Sequence, residues 1–241
     1  MNESVLFVSG KGGTGKSALC LHTAGALARR GRRVLVVEAV PGFRGLELTL
    51  ALPGKTVYDF ADVLESRCSL GEAILTHEAT QLRLMPAPGD PLYLPGEERL
   101  SAFFAWAREH WDFLLVDGPP GFPPFLPLLA KHCSLGVLVI PPEELAARSA
   151  GRLSAFLTRE GLGRQRLIIN QVPRDLPPTP VIRDLDDVID LSGVQLLGAV
   201  PEREGPLPAP GEEPLPGPFG QELDAIARRL MGERVELTLF P

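Results

Sequence analysis

The chain has 241 residues, 44% of them apolar and 22% charged, with a formal net charge of −6. That is enough chain for one large α/β domain with a full core, and the acidic balance argues against a protein that coats nucleic acid over its whole surface. No apolar run approaches the ~20 residues that span a bilayer.

The N-terminus enters a strand at once, with no basic or signal-like lead, so a cytoplasmic location is expected. Cys20, Cys68 and Cys133 lie far apart and form no C-x-x-C. Neither zinc nor a cysteine-held cluster is suggested, and buried thiols in a reducing compartment are the simplest reading.

The first predicted strand, 4–9, runs into Gly10-Lys11-Gly12-Gly13-Thr14-Gly15-Lys16-Ser17, and a helix is expected over 16–30. A glycine-rich turn aims backbone N–H groups at phosphate oxygens, and the helix start adds its positive end. In this motif Lys16 reaches the β- and γ-phosphates, and the Ser17 hydroxyl sits on Mg²⁺. The expected cradle therefore runs from Gly10 to Ala18. Lys11 is extra. It is either a solvated surface lysine or a second cation, serving the same nucleotide or a neighbouring subunit's phosphates in trans.

A strand at 33–38 leads into Glu38-Ala39-Val40-Pro41-Gly42. Helices are expected over 57–65, 70–76 and 97–110, with a strand at 82–85 among them. The strand 113–117, reading Phe113-Leu114-Leu115-Val116-Asp117, ends in a carboxylate followed by Gly118, Pro119, Pro120 and Gly121. Alone, such an Asp is more often a helix cap. Opposite a phosphate loop it can hold Mg²⁺ through water, and the glycines and prolines can form a phosphate-sensing switch.

A strand at 135–140 precedes a helix over 142–160, where Glu143 suits the first turn through the helix dipole. Arg148, Arg152, Arg159, Arg164 and Arg166 follow with few acids among them. They read as a solvated face or, less simply, as a patch for nonspecific DNA with steep salt dependence. A strand at 166–170 brings Asn170 to its end, as a turn former or as a donor and acceptor for an adenine edge. A helix over 184–191, a strand at 194–200 and a helix over 219–231 complete the pattern. The proline-rich stretches 173–180 and 201–218 are expected as surface loops, neither helix nor inner strand.

Continuous apolar strands alternating with helices predict an α/β fold, a doubly wound, mostly parallel sheet flanked by helices, in one domain over 1–241. Ligands in such sheets bind beyond the strands' carboxyl ends.

Together these residues resemble the MinD/ParA family of deviant phosphate-loop ATPases, across nearly the whole chain. Val57-Tyr58-Asp59-Phe60-Ala61, Cys68-Ser69-Leu70 and Leu84-Met85-Pro86-Ala87 look like the MinD branch. The resemblance implies ATP or ADP with Mg²⁺ as cofactors and an ATP-dependent homodimer. Lys11 would be the signature lysine crossing the dimer interface, to which Glu143 and Ser149 would also belong. Lys11, Lys16 and Asp117 would be the catalytic set. Asn170 and the backbone at Pro201 would hold the base. Glu38, Val40 and Gly42 would form a first switch, and Gly118, Pro119 and Gly121 a second.

Five positions depart from the family pattern: Glu38 stands for an aspartate and keeps a carboxylate, Gly151 stands where an acid is usual, and three more follow. Val40 replaces a carboxylate that assists hydrolysis, and valine holds neither proton, water nor metal. Slow or partner-dependent hydrolysis is therefore expected. Ser149 stands where an acid is usual, which should free Lys11 or alter how the dimer locks. Arg203 replaces another acid beside the base.

The implied role is spatial organisation, in division-site placement, partition or similar, with an unidentified protein partner or activator. The alternatives are an ATP-binding scaffold that does not hydrolyse and a small-molecule kinase of the dethiobiotin-synthetase type, though the latter lack the leading lysine. Membrane attachment finds little support, because Glu233 and Glu236 would oppose anionic lipid. Peripheral association with the inner membrane face or the nucleoid stays open.

Overall fold

The computed structural model describes residues 2–52, 54–78, 80–203, 205, 210 and 215–237. Its strands are β1 (Glu3–Val8), β2 (Val34–Glu38), β3 (Leu75–Thr76), β4 (Arg83–Met85), β5 (Phe113–Asp117), β6 (Leu135–Ile140), β7 (Gln165–Val172) and β8 (Leu196–Pro201). They form one eight-stranded sheet in the order β3-β4-β2-β5-β1-β6-β7-β8. Every neighbouring pair is parallel except β3 with β4. The doubly wound, mostly parallel sheet expected from the apolar runs is what forms. β1 lies inside it, between β5 and β6, and so delivers its following loop to the middle of the carboxyl edge.

The helices are α1 (Lys16–Arg29), α2 (Gly45–Thr49), α3 (Phe60–Leu64), α4 (Leu70–Ala73), α5 (Glu97–His110), α6 (Phe125–His132), α7 (Glu144–Arg159), α8 (Leu185–Ser192) and α9 (Gly217–Leu230). They cover both faces. Strand side chains alternate between two apolar layers, as the pleat requires. Val5 and Phe7 join Leu19 of α1 and Leu223 and Ile226 of α9. Leu6 and Val8 join Phe60, Phe104, Leu126 and Leu153 on the other face. A strand buried on both sides favours apolar residues along most of its length, which is why these runs carry no polar alternation, and Glu3, Glu38 and Asp117 stand at strand ends.

Several boundaries differ from expectation. The helix expected over 70–76 stops at Ala73, because Leu75 and Thr76 pair antiparallel with Leu84 and Arg83. The helix over 57–65 starts only at Phe60, where Asp59 caps it by accepting from the Ala61 and Asp62 amides. Neither α2 nor α6 was expected. In α6 the prolines misled: Pro123 and Pro124 precede the helix and Pro127 sits in its first turn, where the missing N–H breaks no helical bond.

The stretch 201–218 is not all loop. Pro201 ends β8, a sheet edge that tolerates proline, and Gly217 with Pro218 opens α9. Residues 204, 206–209 and 211–214 of that stretch lie outside the described residues. Cys20 is buried, whereas Cys68 and Cys133 are partly exposed, and all three are free thiols.

Phe104 is fully buried and stacks on His132 with ring centroids 5.4 Å apart. Phe104→Ala is expected to lower the unfolding free energy by about 3–5 kcal/mol. A urea midpoint that falls at an unchanged slope is the readout. An unmoved midpoint would show that this layer does not hold the sheet.

Candidate functional site

Ser9 to Gly15 leave β1 and enter α1 through a loop with Gly13 and Gly15 both left-handed, at φ 78° and 81°. Gly15 is also the N-cap of α1. A side chain would strain both positions. Cβ atoms placed on Gly12 or Gly13 would meet nothing within 4 Å, so the backbone there faces open space. That space is a cleft of ≈ 550 Å³ bounded by Ser9, the 12–18 loop, Val40, Phe43 and Pro120.

At its floor, Lys16 Nζ donates to Asp117 Oδ1, and both side chains are buried. Lys16 Nζ also lies 3.3 Å from Ser17 Oγ. The loop lysine, the hydroxyl and the strand-end carboxylate are thus brought together as the motif required. Lys11 lies outside. Its Nζ donates to Glu143 Oε2 at 2.6 Å, and both side chains are about half exposed. So Lys11 is not freed by the change at position 149; Glu143 takes it. Glu143 is the N-cap residue of α7, yet its carboxylate turns to the lysine rather than to the helix amides. Ser149 packs on the loop instead. A Cβ on Gly10 would fall 2.0 Å from Ser149 Oγ, so glycine is needed there for close approach.

The segment after β2 behaves differently from expectation. Val40 does line the cleft. Glu38 turns away, and its Oε1 accepts from the Gly45 and Leu46 amides at 2.8 and 3.1 Å, capping α2. Burial pushes the Glu38 carboxyl up to about 7, the Asp117 charge adds to the rise, and the backbone amides oppose it. Gly42 turns with φ 77° and donates to the Pro88 carbonyl at 2.8 Å.

After β5, Gly118 donates to the Phe7 carbonyl and Gly121 to the Ser9 carbonyl, which ties this segment to the base of the loop. Pro119 and Pro120 wall an adjoining apolar groove of ≈ 390 Å³ with Pro41 and Leu92. At the other end of the loop, a hollow of ≈ 180 Å³ is bounded by Ala18, Asn170, Pro201, Arg203 and Phe219. Asn170 Nδ2 donates to the Thr14 carbonyl at 2.8 Å, so its donor braces the loop and its oxygen remains an acceptor.

Three of the five arginines, Arg148, Arg152 and Arg159, share one face of α7. Arg148 and Arg159 stand three turns apart on α7, and Arg148 pairs with Glu144 at 2.8 Å. Arg164 pairs with Glu3 at 2.7 Å, and Arg166 donates to the Gln165 carbonyl at 2.8 Å. A separate hollow of ≈ 280 Å³ under the 173–186 loop, near Arg174 and Arg183, contains none of the motif residues.

These residues fit a nucleotide phosphate chain. The Thr14 hydroxyl is buried in the loop with no hydrogen-bond partner. Among the described residues no three His, Cys, Asp or Glu side chains converge as a metal cage. The Ser17 hydroxyl and the Asp117 carboxylate are hard oxygen donors of the kind that suits Mg²⁺, which binds through few protein ligands, several waters and phosphates.

The Glu38 carboxyl gives a pH test. Its folded pKa lies above the ordinary value of 4.5. Its contribution to stability is therefore full below about pH 4.5 and is lost as pH rises through about 7. Glu38→Gln, whose amide oxygen can still cap α2, should flatten stability across that window in denaturant titrations. An unchanged slope would place the buried proton elsewhere.

Residues 5–214 match the model of the CobQ/CobB/MinD/ParA nucleotide binding domain. The septum site-determining protein MinD of Synechocystis sp. is 29% identical over 249 residues, covering 100% of this chain and 93% of its own length. In the MinC:MinD cell division protein complex of Aquifex aeolicus, one chain superposes with a TM-score of 0.88 at 27% identity, covering 99% of both chains. The septum site-determining protein MinD of Pyrococcus horikoshii, solved with Mg-ADP, shares the fold with a TM-score of 0.80, covering 95% of this chain and 96% of that one. The phosphate cradle and the family match agree, and the chain belongs to the CobQ/CobB/MinD/ParA nucleotide-binding family.

Proposed function

We propose that this protein is a MinD/ParA-type ATPase switch acting in division-site placement or a related spatial task. The observation that carries the reading is one loop with two lysines in different settings. Lys16 is buried against Asp117, and Lys11 is half exposed and paired with Glu143 outside the cleft. Lys16 would hold the β- and γ-phosphates, with Gly10, Gly12, Gly13, Thr14, Gly15 and Ala18 supplying the cradle. Ser17, and Asp117 through water, would hold Mg²⁺, which supplies charge neutralisation on the phosphates when bound.

Lys11 would leave Glu143 for a second copy's phosphates, making the dimer depend on ATP. Binding of ATP favours the dimer only if the dimer holds it more tightly. Glu143 and Ser149 flank Lys11 and would lie at that interface. Gly42 and Gly121, each hydrogen-bonded to a neighbouring loop, sit where the 38–42 and 118–121 segments could report the nucleotide to a partner. The MinC:MinD complex of the Aquifex relative supports a protein partner for this chain as well.

Val40 favours slow hydrolysis, or a scaffold that binds ATP without turning it over. The cleft wall beside the phosphate end holds Val40, Phe43 and Pro120. None can orient an attacking water or accept its proton.

Contacts with membrane or DNA have weaker support. Among the described residues no helix is long and apolar enough to cross a membrane. Arg229 holds the Val235 and Glu236 carbonyls at 3.2 and 2.6 Å, which keeps the start of the tail on the fold. Residues 238–241 lie outside the described residues.

Lys16→Ala should abolish ATP binding in calorimetric titration. Lys11→Ala should keep binding but lose ATP-dependent dimers in sedimentation. Dimers that persist in Lys11→Ala would remove that lysine from the interface. Val40→Asp should raise turnover about 10²-fold. Fast turnover in the parent, unmoved by the substitution, would overturn the slow-hydrolysis reading.

A further inference from the structure

Phe43 stands on the wall of the cleft with 64% of its surface exposed. An exposed ring has little packing to hold it, so its place depends on its backbone. That backbone is a tight turn. The Phe43 N–H donates to the Val40 carbonyl at 3.1 Å, with Pro41 at the second position and left-handed Gly42 at the third. Proline and glycine in those places suit a type II turn. Gly42 also lies against the 91 loop, where a Cβ would fall 2.6 Å from Pro91 Cβ. A Cβ on Gly45 would fall 2.6 Å from Phe43 Cε1, so glycine there leaves room for the ring.

Arg44 anchors the other side of the ring. Its Nη2 donates to Asp59 Oδ2 at 2.7 Å, and the Gly89 amide donates to the same oxygen at 2.9 Å. Asp59 Oδ1 accepts from the Ala61 and Asp62 amides at 2.8 and 3.2 Å. The carboxylate is thus fixed by a helix and a loop before Arg44 reaches it. Arg44 Nε, by contrast, is buried with no hydrogen-bond partner among the described residues. A buried donor left unpaired costs about as much as one charge-assisted bond returns. The pair therefore adds little net stability, and what it fixes is the course of the chain beside Phe43.

We propose that Arg44 is a positioning residue for nucleotide retention: through its pair with Asp59 it sets the Phe43 ring as a wall over the phosphate end of the bound nucleotide, which then leaves slowly. Val40 of the same turn and Pro120 complete that wall. An apolar wall shields the bonds between phosphate and loop from water. Arg44 acts through the ring and holds no phosphate itself. This inference rests on the nucleotide reading of the phosphate cradle.

The test is release of N-methylanthraniloyl-ADP from the full chain with Mg²⁺, chased by excess unlabelled ADP, beside a urea titration of each variant. Phe43→Ala, at an exposed position, should keep the urea midpoint and speed release about tenfold. Arg44→Gln should speed release by a similar factor, and Arg44→Lys, which keeps a cation for Asp59, should recover part of it. The double variant should release no faster than the faster single one, because both changes remove the same wall. Release unmoved in Phe43→Ala overturns the wall. A lower urea midpoint in Arg44→Gln at the parental release rate makes the pair structural alone and overturns the positioning role. Effects that multiply in the double variant overturn it too, since Arg44 would then act apart from the ring. A parent that binds no ADP overturns the nucleotide reading and this inference with it.

Discussion

The contact on which the site depends is the buried pair of Lys16 and Asp117. It joins the first residue of α1 to the last residue of β5, across the end of β1. Two charges removed from water are stabilised only when their geometry is good and their remaining valences are satisfied. Removing one partner would leave the other uncompensated, at a cost of about 3–5 kcal/mol. The same pair therefore shapes the loop and holds the middle of the carboxyl edge. Asp117 also sits in register with Glu38 on β2, and its carbonyl accepts from Ala39. Burial raises the Glu38 carboxyl first, and the neighbouring Asp117 charge adds to the rise. Lys16 serves Asp117, and Glu38 is pushed toward its neutral form.

That division of labour explains why the two strand-end acids do different work. Asp117 is the acid that meets the phosphate lysine. Glu38 has a longer side chain than the aspartate of the family pattern, and its carboxyl reaches past the cleft to cap α2. The 38–46 segment is therefore fastened at both ends, by Glu38 and by the Gly42 bond to Pro88. Val40 projects between those anchors into the cleft. An apolar wall beside phosphates strengthens electrostatic binding by excluding water, yet supplies nothing that moves a proton. Tight binding with slow chemistry is consistent with both facts.

Much of this was legible in the sequence, for identifiable reasons. Strands buried on both faces betray themselves as unbroken apolar runs, so β1, β2, β5 and β6 and their parallel pairing could be read directly. The loop glycines reported their own left-handed backbone at Gly13 and Gly15. What failed was structure set by partners rather than by local pattern. β3 exists only because β4 accepts it as a two-residue edge. α2 is too short to show a period and is held by a carboxylate seven residues upstream. α6 hid behind prolines that suit a helix start as well as a loop. The arginines of α7 share a face as their spacing implies, but that Arg148 and Arg164 are paired with Glu144 and Glu3 was not legible in it. The ion pair of Lys11 with Glu143 joins residues 132 apart, and only the fold brings them together. A signal existed in each residue separately.

The two lysines of the loop differ in what it takes to move them. Lys16 is buried, and its pair is part of the fold. Lys11 makes an exposed pair with Glu143, and such pairs contribute only about 0–1 kcal/mol. A charge-assisted bond to a phosphate in a water-poor interface is worth more, on the order of 1.5–3 kcal/mol. Exchanging Glu143 for a phosphate would therefore cost the monomer little and reward the dimer. The glycine at position 10 lets Ser149 of α7 press against the loop, so α7 follows the loop that carries Lys11. A device that must read nucleotide and report it needs one cation that stays and one that can leave. Under the proposed switch, the contrast in burial between positions 16 and 11 would supply both from a single loop.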